Sequence, residues 1–123
     1  MGVFFIGDTH FGHNGVHNFR EQFSDDNHHN ETIFNNIMSV SGKRNDIYLM
    51  GDICFNIEHF HYVEEISKNF NNVKLIIGNH DFERTSAPKI EDYLRLNISI
   101  HGFVKYKEFW LSHAPIHPEE LRD

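Results

Sequence analysis

Four short apolar runs in this chain each lead into a small residue and then into side chains that can bind a cation. They are Phe4-Phe5-Ile6-Gly7-Asp8-Thr9-His10, Tyr48-Leu49-Met50-Gly51-Asp52, Leu75-Ile76-Ile77-Gly78-Asn79-His80-Asp81 and Phe109-Trp110-Leu111-Ser112-His113. A short apolar run bounded by turn residues reads as a buried strand, and such a strand delivers its next residue to the edge of the sheet. Strands ending in Asp, His and Asn at one rim would gather hard and borderline ligands suited to divalent cations. The pattern predicts a two-metal centre.

The segments between these runs set the expected fold. Val3 to Ile6 reads as a strand entering a long Gly- and Asn-containing loop that reaches about Arg20. Ser24 to Asp26 offer N-caps for a helix to about Val40, with Ile33, Phe34, Ile37 and Met38 on one face, and Ser41-Gly42 ends it. Ile47 to Met50 follows as a strand, Ile57 to Phe70 as one amphipathic helix, and Val73 to Ile77 as the next strand. Ser86 and Pro88 would open a short helix carrying Ile90, Tyr93 and Leu94. Ile98 to Tyr106 and Phe109 to Leu111 then read as two strands joined by a tight turn at Lys107-Glu108. Alternating strands and helices predict a largely parallel sheet, and the final hairpin an antiparallel part.

Composition narrows what such a domain can do. With 123 residues, 39% of them hydrophobic, the chain suits one domain with a single core. No apolar stretch approaches the roughly 20 residues that cross a bilayer, and Val3 to Ile6 lacks the flanks of a signal peptide. A cytoplasmic protein with no membrane partner is expected. The single cysteine, Cys54, excludes an internal disulfide and a Cys-rich zinc site, and between Ile53 and Phe55 it reads as a small core hydrophobe. A formal net charge of -7 argues against stable nucleic-acid binding through a broad basic surface. It is compatible with phosphate substrates, because two bound divalent cations would dominate the local field around Asp8 and Asp52.

Asp8 and His10, one residue apart at a strand end, can lean to the same side and chelate one ion. Asp52 follows Gly51, where the backbone can turn sharply, and its two carboxylate oxygens suit it to bridge two ions. Asn79 offers a neutral oxygen and His113 an imidazole nitrogen for the second ion. Each Asp taken singly reads first as a cap or turn residue. Agreement among the four strand ends favours the metal centre.

Asp8-Thr9-His10, Gly51-Asp52, Gly78-Asn79-His80-Asp81 and Ser112-His113 resemble, in order and spacing, the successive motifs of the calcineurin-like metallophosphoesterases. Asp-Thr-His-Phe-Gly-His at 8 to 13, Phe-Arg-x-x-Phe at 19 to 23 and Leu-Ser-His-Ala-Pro-Ile-His-Pro at 111 to 118 are similar to small members found in bacteria and bacteriophages. The resemblance implies a four-layer α/β/β/α sandwich with two mixed sheets between helices. It makes Asp8 and His10 ligands of the first metal, Asp52 the bridge, and Asn79 and His113 ligands of the second. His80 would face the scissile phosphate as the catalytic residue, stabilising the phosphorane-like state or protonating the leaving oxygen. In-line attack by a metal-bridging hydroxide would hydrolyse a small phosphate ester, a phosphodiester first. Mn2+ is the expected metal at both positions, with Zn2+, Fe2+ or Ni2+ able to use the same ligands.

Two departures from the family pattern stand out. The protein-phosphatase signature, with a second Asp and an Arg after Gly-Asp, is absent: Asp52 leads into Ile53-Cys54-Phe55-Asn56, which leaves the carboxylate that would orient His80 unidentified. The closing Gly-His-x-His motif has no counterpart between His113 and Asp123, where His117 reads as shaping the loop. Residues 1–123 are therefore expected to form a single domain lacking its C-terminal part, with weak metal binding and little activity in this form. The alternative is a catalytically impaired binding module of the same fold; a nuclease ranks lower because basic and aromatic residues form no stripe.

The remaining histidines, among 11 in all, are assigned little. His13, and more weakly His17, read as contacting substrate or as shaping the loop after the first strand, and Arg20 as a surface salt-bridge residue first and a substrate contact second. His28, His29, His59 and His61 are expected at solvated or partly buried helix positions, and His101 in a strand without a visible partner. The 12 Phe are expected mainly in the core.

Overall fold

The computed structural model describes residues 1–115, so His117 and the segment after it lie outside the described residues. Strand β1 (Val3–Ile6) is followed by helix α1 (Asp26–Met38), β2 (Gly42–Leu49), α2 (His61–Asn69), β3 (Phe70–Ile76), α3 (Ile90–Arg95) and β4 (Ser99–His101). These strands form one four-stranded sheet in the order β1-β2-β3-β4, every neighbouring pair parallel. Parallel neighbours need crossovers, and the three helices supply them. All four strands therefore end at the same edge. The last pair, β5 (Val104–Tyr106) and β6 (Phe109–Leu111), makes a separate antiparallel hairpin.

Side-chain alternation divides the parallel sheet into two faces. Ile47, Leu49, Val73 and Leu75 point toward the helices and share one apolar cluster with Ile37, Val63, Ile66 and Tyr93. Val63 and Ile66 on α2 are fully buried, each contributing roughly 1.5–3 kcal/mol of apolar burial. α1 joins this layer through Phe34, whose ring lies 5.1 Å from that of Tyr62 on α2. On the other face the Phe5 and Tyr48 rings stack at 5.0 Å, and Tyr106 of the hairpin meets them edge-on at 5.3 and 5.6 Å. Helices, parallel sheet and hairpin are three successive layers, in agreement with the expected α/β class.

Several element boundaries differ from expectation. The helix anticipated over 57–70 is a 3-10 turn at Ile57–His59 followed by α2, and Phe70 already belongs to β3. Asn56 explains the break, because its side chain accepts the Glu58 N–H and starts the turn separately. The strand anticipated over 98–106 divides at Gly102-Phe103, its first part pairing with β3 and its second with β6. β2 starts at Gly42, five positions before the apolar run that announces it, because backbone pairing does not need apolar side chains. Not every Phe is in the core: Phe19 is 80% exposed, and Phe5, Phe103 and Phe109 are also exposed.

A carboxylate at the start of α1 clamps the middle of the loop between β1 and α1. Asp25 caps α1 by accepting the His28 N–H, while Asp26 accepts from the Gly15 and His17 N–H groups and from the His17 ring at 2.6 Å. The His17 side-chain bond and the Gly15 N–H lower the Asp26 pKa from 3.8 to about 2. A folded-state pKa below the unfolded one means that this stabilisation is present above pH 3.8 and is lost as pH falls through about 2. Asp26→Ala should cost roughly 1–2 kcal/mol and speed amide exchange at Gly15 and His17, and acidification of the native protein across that window should do the same. Unchanged exchange at both amides would contradict the clamp.

Candidate metal centre

The exits of β1 and β2 remain side by side after the strands end. Asp8 N donates to Gly51 O at 2.9 Å, His10 N to Asp52 O at 3.1 Å and Phe11 N to Ile53 O at 2.8 Å. The buried Thr9 hydroxyl adds a bond to Ile53 O, and Phe55 N returns one to Phe11 O. This zipper continues the parallel pairing beyond the sheet and forces Asp8, His10 and Asp52 together. One ligand atom from each lies within 4.8 Å of the others, an arrangement able to hold a metal ion.

The backbone at these positions is strained. Asp8, His10 and Asp52 have φ of 54°, 53° and 54°, in the left-handed region that costs a non-glycine residue of order 1–3 kcal/mol. That conformation turns their side chains out of the strand direction and toward one another. Glycine is required next to Asp52 by space as well as conformation: Gly51 has φ of 100°, and a Cβ there would lie 2.6 Å from His113 Nδ1. At Gly78 a Cβ would collide with Asp52 Oδ1. The two glycines allow the exits of β2 and β3 to approach as closely as they do.

Asp81 locks that approach. Fully buried, its carboxylate accepts the Asp52 N–H at 2.9 Å, the Ile53 N–H at 2.9 Å and the Gly78 N–H at 2.6 Å. Burial raises its pKa, against the opposing pull of those three donors. In sequence Asp81 is only the neighbour of His80; its role becomes visible when the turn after β3 folds back beneath the exit of β2.

The other expected site residues collect around Asp52. His113 Nε2 lies 3.3 Å from Asp52 Oδ2, and its Nδ1 sits 2.9 Å from the Met50 carbonyl. An N–H on Nδ1 donated to that carbonyl leaves Nε2 with a free lone pair toward the carboxylate. Burial lowers the His113 pKa, but the Met50 bond and the Asp52 charge outweigh it and the net shift is upward. His10 shifts downward, through burial first and then through Arg20 and His13. The His80 backbone N–H donates to Asp52 Oδ1 at 2.9 Å. Asn79 is exposed at the same turn, its amide nitrogen 3.2 Å from His80 Nε2, so its oxygen is the end left for a ligand.

His13 and Arg20 also border the centre. His13 Nδ1 is 3.1 Å from His10 Nδ1, and its pKa is lowered by burial, then by Arg84 and Arg20. Arg20 donates to the Asp8 carbonyl at 2.8 Å and faces His29 Nε2 at 2.8 Å. These contacts hold the loop in place, and Arg20 also lines a cavity of about 320 Å³ beside Asp8. His29, expected at a solvated or partly buried position, is fully buried because Arg20 and Asn30 satisfy both ring nitrogens. Sequence reasoning also missed Phe55, which is 3% exposed and lies 4.7 Å from the His10 ring, 5.3 Å from His13 and 5.8 Å from His80. Cys54 is the core residue expected, its thiol pushed by burial to about 12.

The calcineurin-like phosphoesterase family profile matches residues 1–120. No curated protein matches significantly. Among solved structures, a protein of unknown function from Aquifex aeolicus superposes with a TM-score of 0.66 at 23% identity, covering 94% of this chain and 62% of its own. Phosphopantetheinyl hydrolase from Mycobacterium tuberculosis superposes with a TM-score of 0.55 at 15% identity, covering 87% of this chain and 38% of its own. The chain thus spans less than two thirds of either protein, and at these identities the likeness concerns the fold.

Asp81→Ala would leave three buried N–H donors without their acceptor, at about 1–3 kcal/mol each. A loss of at least ~3 kcal/mol in denaturant unfolding is expected. A loss below about 1 kcal/mol would mean that the carboxylate does not hold the two loops together.

Proposed function

Because this chain belongs to the calcineurin-like phosphoesterase family, we propose that it is a metal-dependent phosphodiesterase acting on a small phosphate ester at a two-ion centre. The observation that carries the proposal is the convergence of Asp8, His10 and Asp52, with His113 on the second oxygen of Asp52. The donor set fits divalent cations: carboxylate oxygens and imidazole nitrogens within reach of one another, and a histidine whose remote nitrogen is already fixed by a carbonyl.

In this reading Asp8 and His10 hold one ion, Asn79 and His113 the other, and Asp52 both, with Mn2+ the preferred occupant. Bound divalent cations in such a centre supply Lewis acidity and a nucleophile available at neutral pH. The protein supplies position. Left-handed backbone at Asp8, His10 and Asp52 presets the ligands, so little conformational freedom remains to be lost on binding. His80 carries its imidazole beside the ester and donates a hydrogen bond or proton to the departing oxygen as negative charge develops there. His13 and Arg20 border the substrate, and Phe55 keeps three imidazoles in register from below.

A binding module of the same fold is the competing reading. Retention of His80 speaks against it, since a surface that only docks a partner has no use for an imidazole beside the ligand cluster. Among the described residues no helix is long and apolar enough to cross a membrane, and a water-borne substrate is the simpler expectation.

An aryl phosphodiester offered with Mn2+ should be hydrolysed, and Asp52→Asn should lower the rate at least about 100-fold, since it removes a charge from both proposed ion positions. The native protein should also gain thermal stability with Mn2+, by roughly 2.7 kcal/mol at a hundredfold excess over Kd, and the variant should not. A native protein that responds to Mn2+ in neither assay would exclude the metal centre. A gain in melting temperature without hydrolysis would favour the binding module.

A further inference from the structure

The structure assigns Glu83 as the positioning residue of His80, an inference that rests on the phosphodiesterase reading for its kinetic consequence but not for its geometry. His80 Nδ1 lies 2.6 Å from Glu83 Oε1, and the two residues sit three apart in the turn that follows β3. A carboxylate can only accept, so the ring carries its proton on Nδ1 and donates it to Glu83. The opposite nitrogen, Nε2, then faces the Asn79 amide at 3.2 Å, on the side of the metal ligands.

Exposed i,i+3 ion pairs ordinarily contribute little, and at 41% and 44% side-chain exposure this pair has little effect on stability. Its value lies in direction. The His80 backbone is pinned to Asp52 Oδ1 and its ring is met edge-on by Phe55, which leaves rotation of the imidazole as the remaining freedom. Glu83 removes that freedom. No carboxylate follows Asp52 in sequence to do so: the next positions are Ile53, Cys54 and Phe55, all buried in the core. The guanidinium of Arg84 lies 4.0 Å from the same Glu83 oxygen and 5.6 Å above the Phe55 ring, which keeps the carboxylate on the His80 side of the turn. Among the described residues Glu83 pairs with His80 and Arg84, so it acts on the ligand cluster through His80.

The pairing is tested first without metal or substrate. In 15N spectra of the native protein, at a pH where His80 is neutral, its ring should be the Nδ1–H tautomer, and Glu83→Ala should convert it to the Nε2–H form. Kinetics with Mn2+ and an aryl phosphodiester form the second arm. Glu83→Ala should lower kcat roughly 10- to 100-fold with little change in KM, Glu83→Gln should restore part of it through its amide oxygen, and adding Glu83→Ala to His80→Ala should cost nothing further. An Nε2–H tautomer in the native protein, or a full additional loss in the double variant, would overturn the assignment. If the native protein hydrolyses no ester, the function fails while the tautomer still decides the pairing.

Discussion

The buried carboxylate of Asp81 draws three backbone N–H groups from two different loops onto its two oxygens, and the rest of the site depends on that convergence. Without it, the exits of β2 and β3 would separate, because the loops in contact there carry Asp52, His80 and Asn79, whose polar groups prefer water. With it, Gly51 and Gly78 meet at a distance that no other residue allows. Asp52 is then fixed through its backbone by Asp81, while its side chain takes the His80 N–H on one oxygen and faces His113 on the other. One acidic residue thus organises another that does the visible work.

A parallel sheet with every strand ending at one edge brings residues far apart in sequence to a single rim. Each strand exit contributes a separate loop, and the zipper of hydrogen bonds from Asp8 to Phe55 keeps two of them parallel after the sheet has ended. Apolar packing beneath is conventional: Phe11 is fully buried and stacks on Tyr62 at 4.7 Å, tying the loop that follows His10 to α2. The strain lies above, in three left-handed residues whose cost the zipper and the core offset. This division between a relaxed core and a strained rim is expected where backbone conformation is used to aim ligands.

Much of this was legible in the sequence, and for identifiable reasons. Strands β1, β2 and β3 announce themselves by continuous apolar runs, and the residues following each run are the ones found at the rim. Asp8, His10 and Asp52 could be grouped because their spacing from strand ends is local information. What failed depended on tertiary placement. Asp81 carries no signal that distinguishes a buried anchor from a turn residue, and Glu83 is an ordinary exposed acid until the turn brings it to His80 Nδ1. Phe55 reads in sequence as one more core aromatic, and His29 as a solvated or partly buried helix residue; only the fold brings Arg20 across from the loop to bury it. The division of the 98–106 segment between two sheets at Gly102 likewise depends on partners far away in sequence.

In the proposed centre Asp52 is shared by two cation positions built from the exits of separate strands. Electron paramagnetic resonance during a Mn2+ titration tests it directly, because two ions bridged by one carboxylate couple magnetically and isolated ions do not. At two equivalents per chain the spectrum should be that of an exchange-coupled pair. Uncoupled signals alone at that stoichiometry would contradict it.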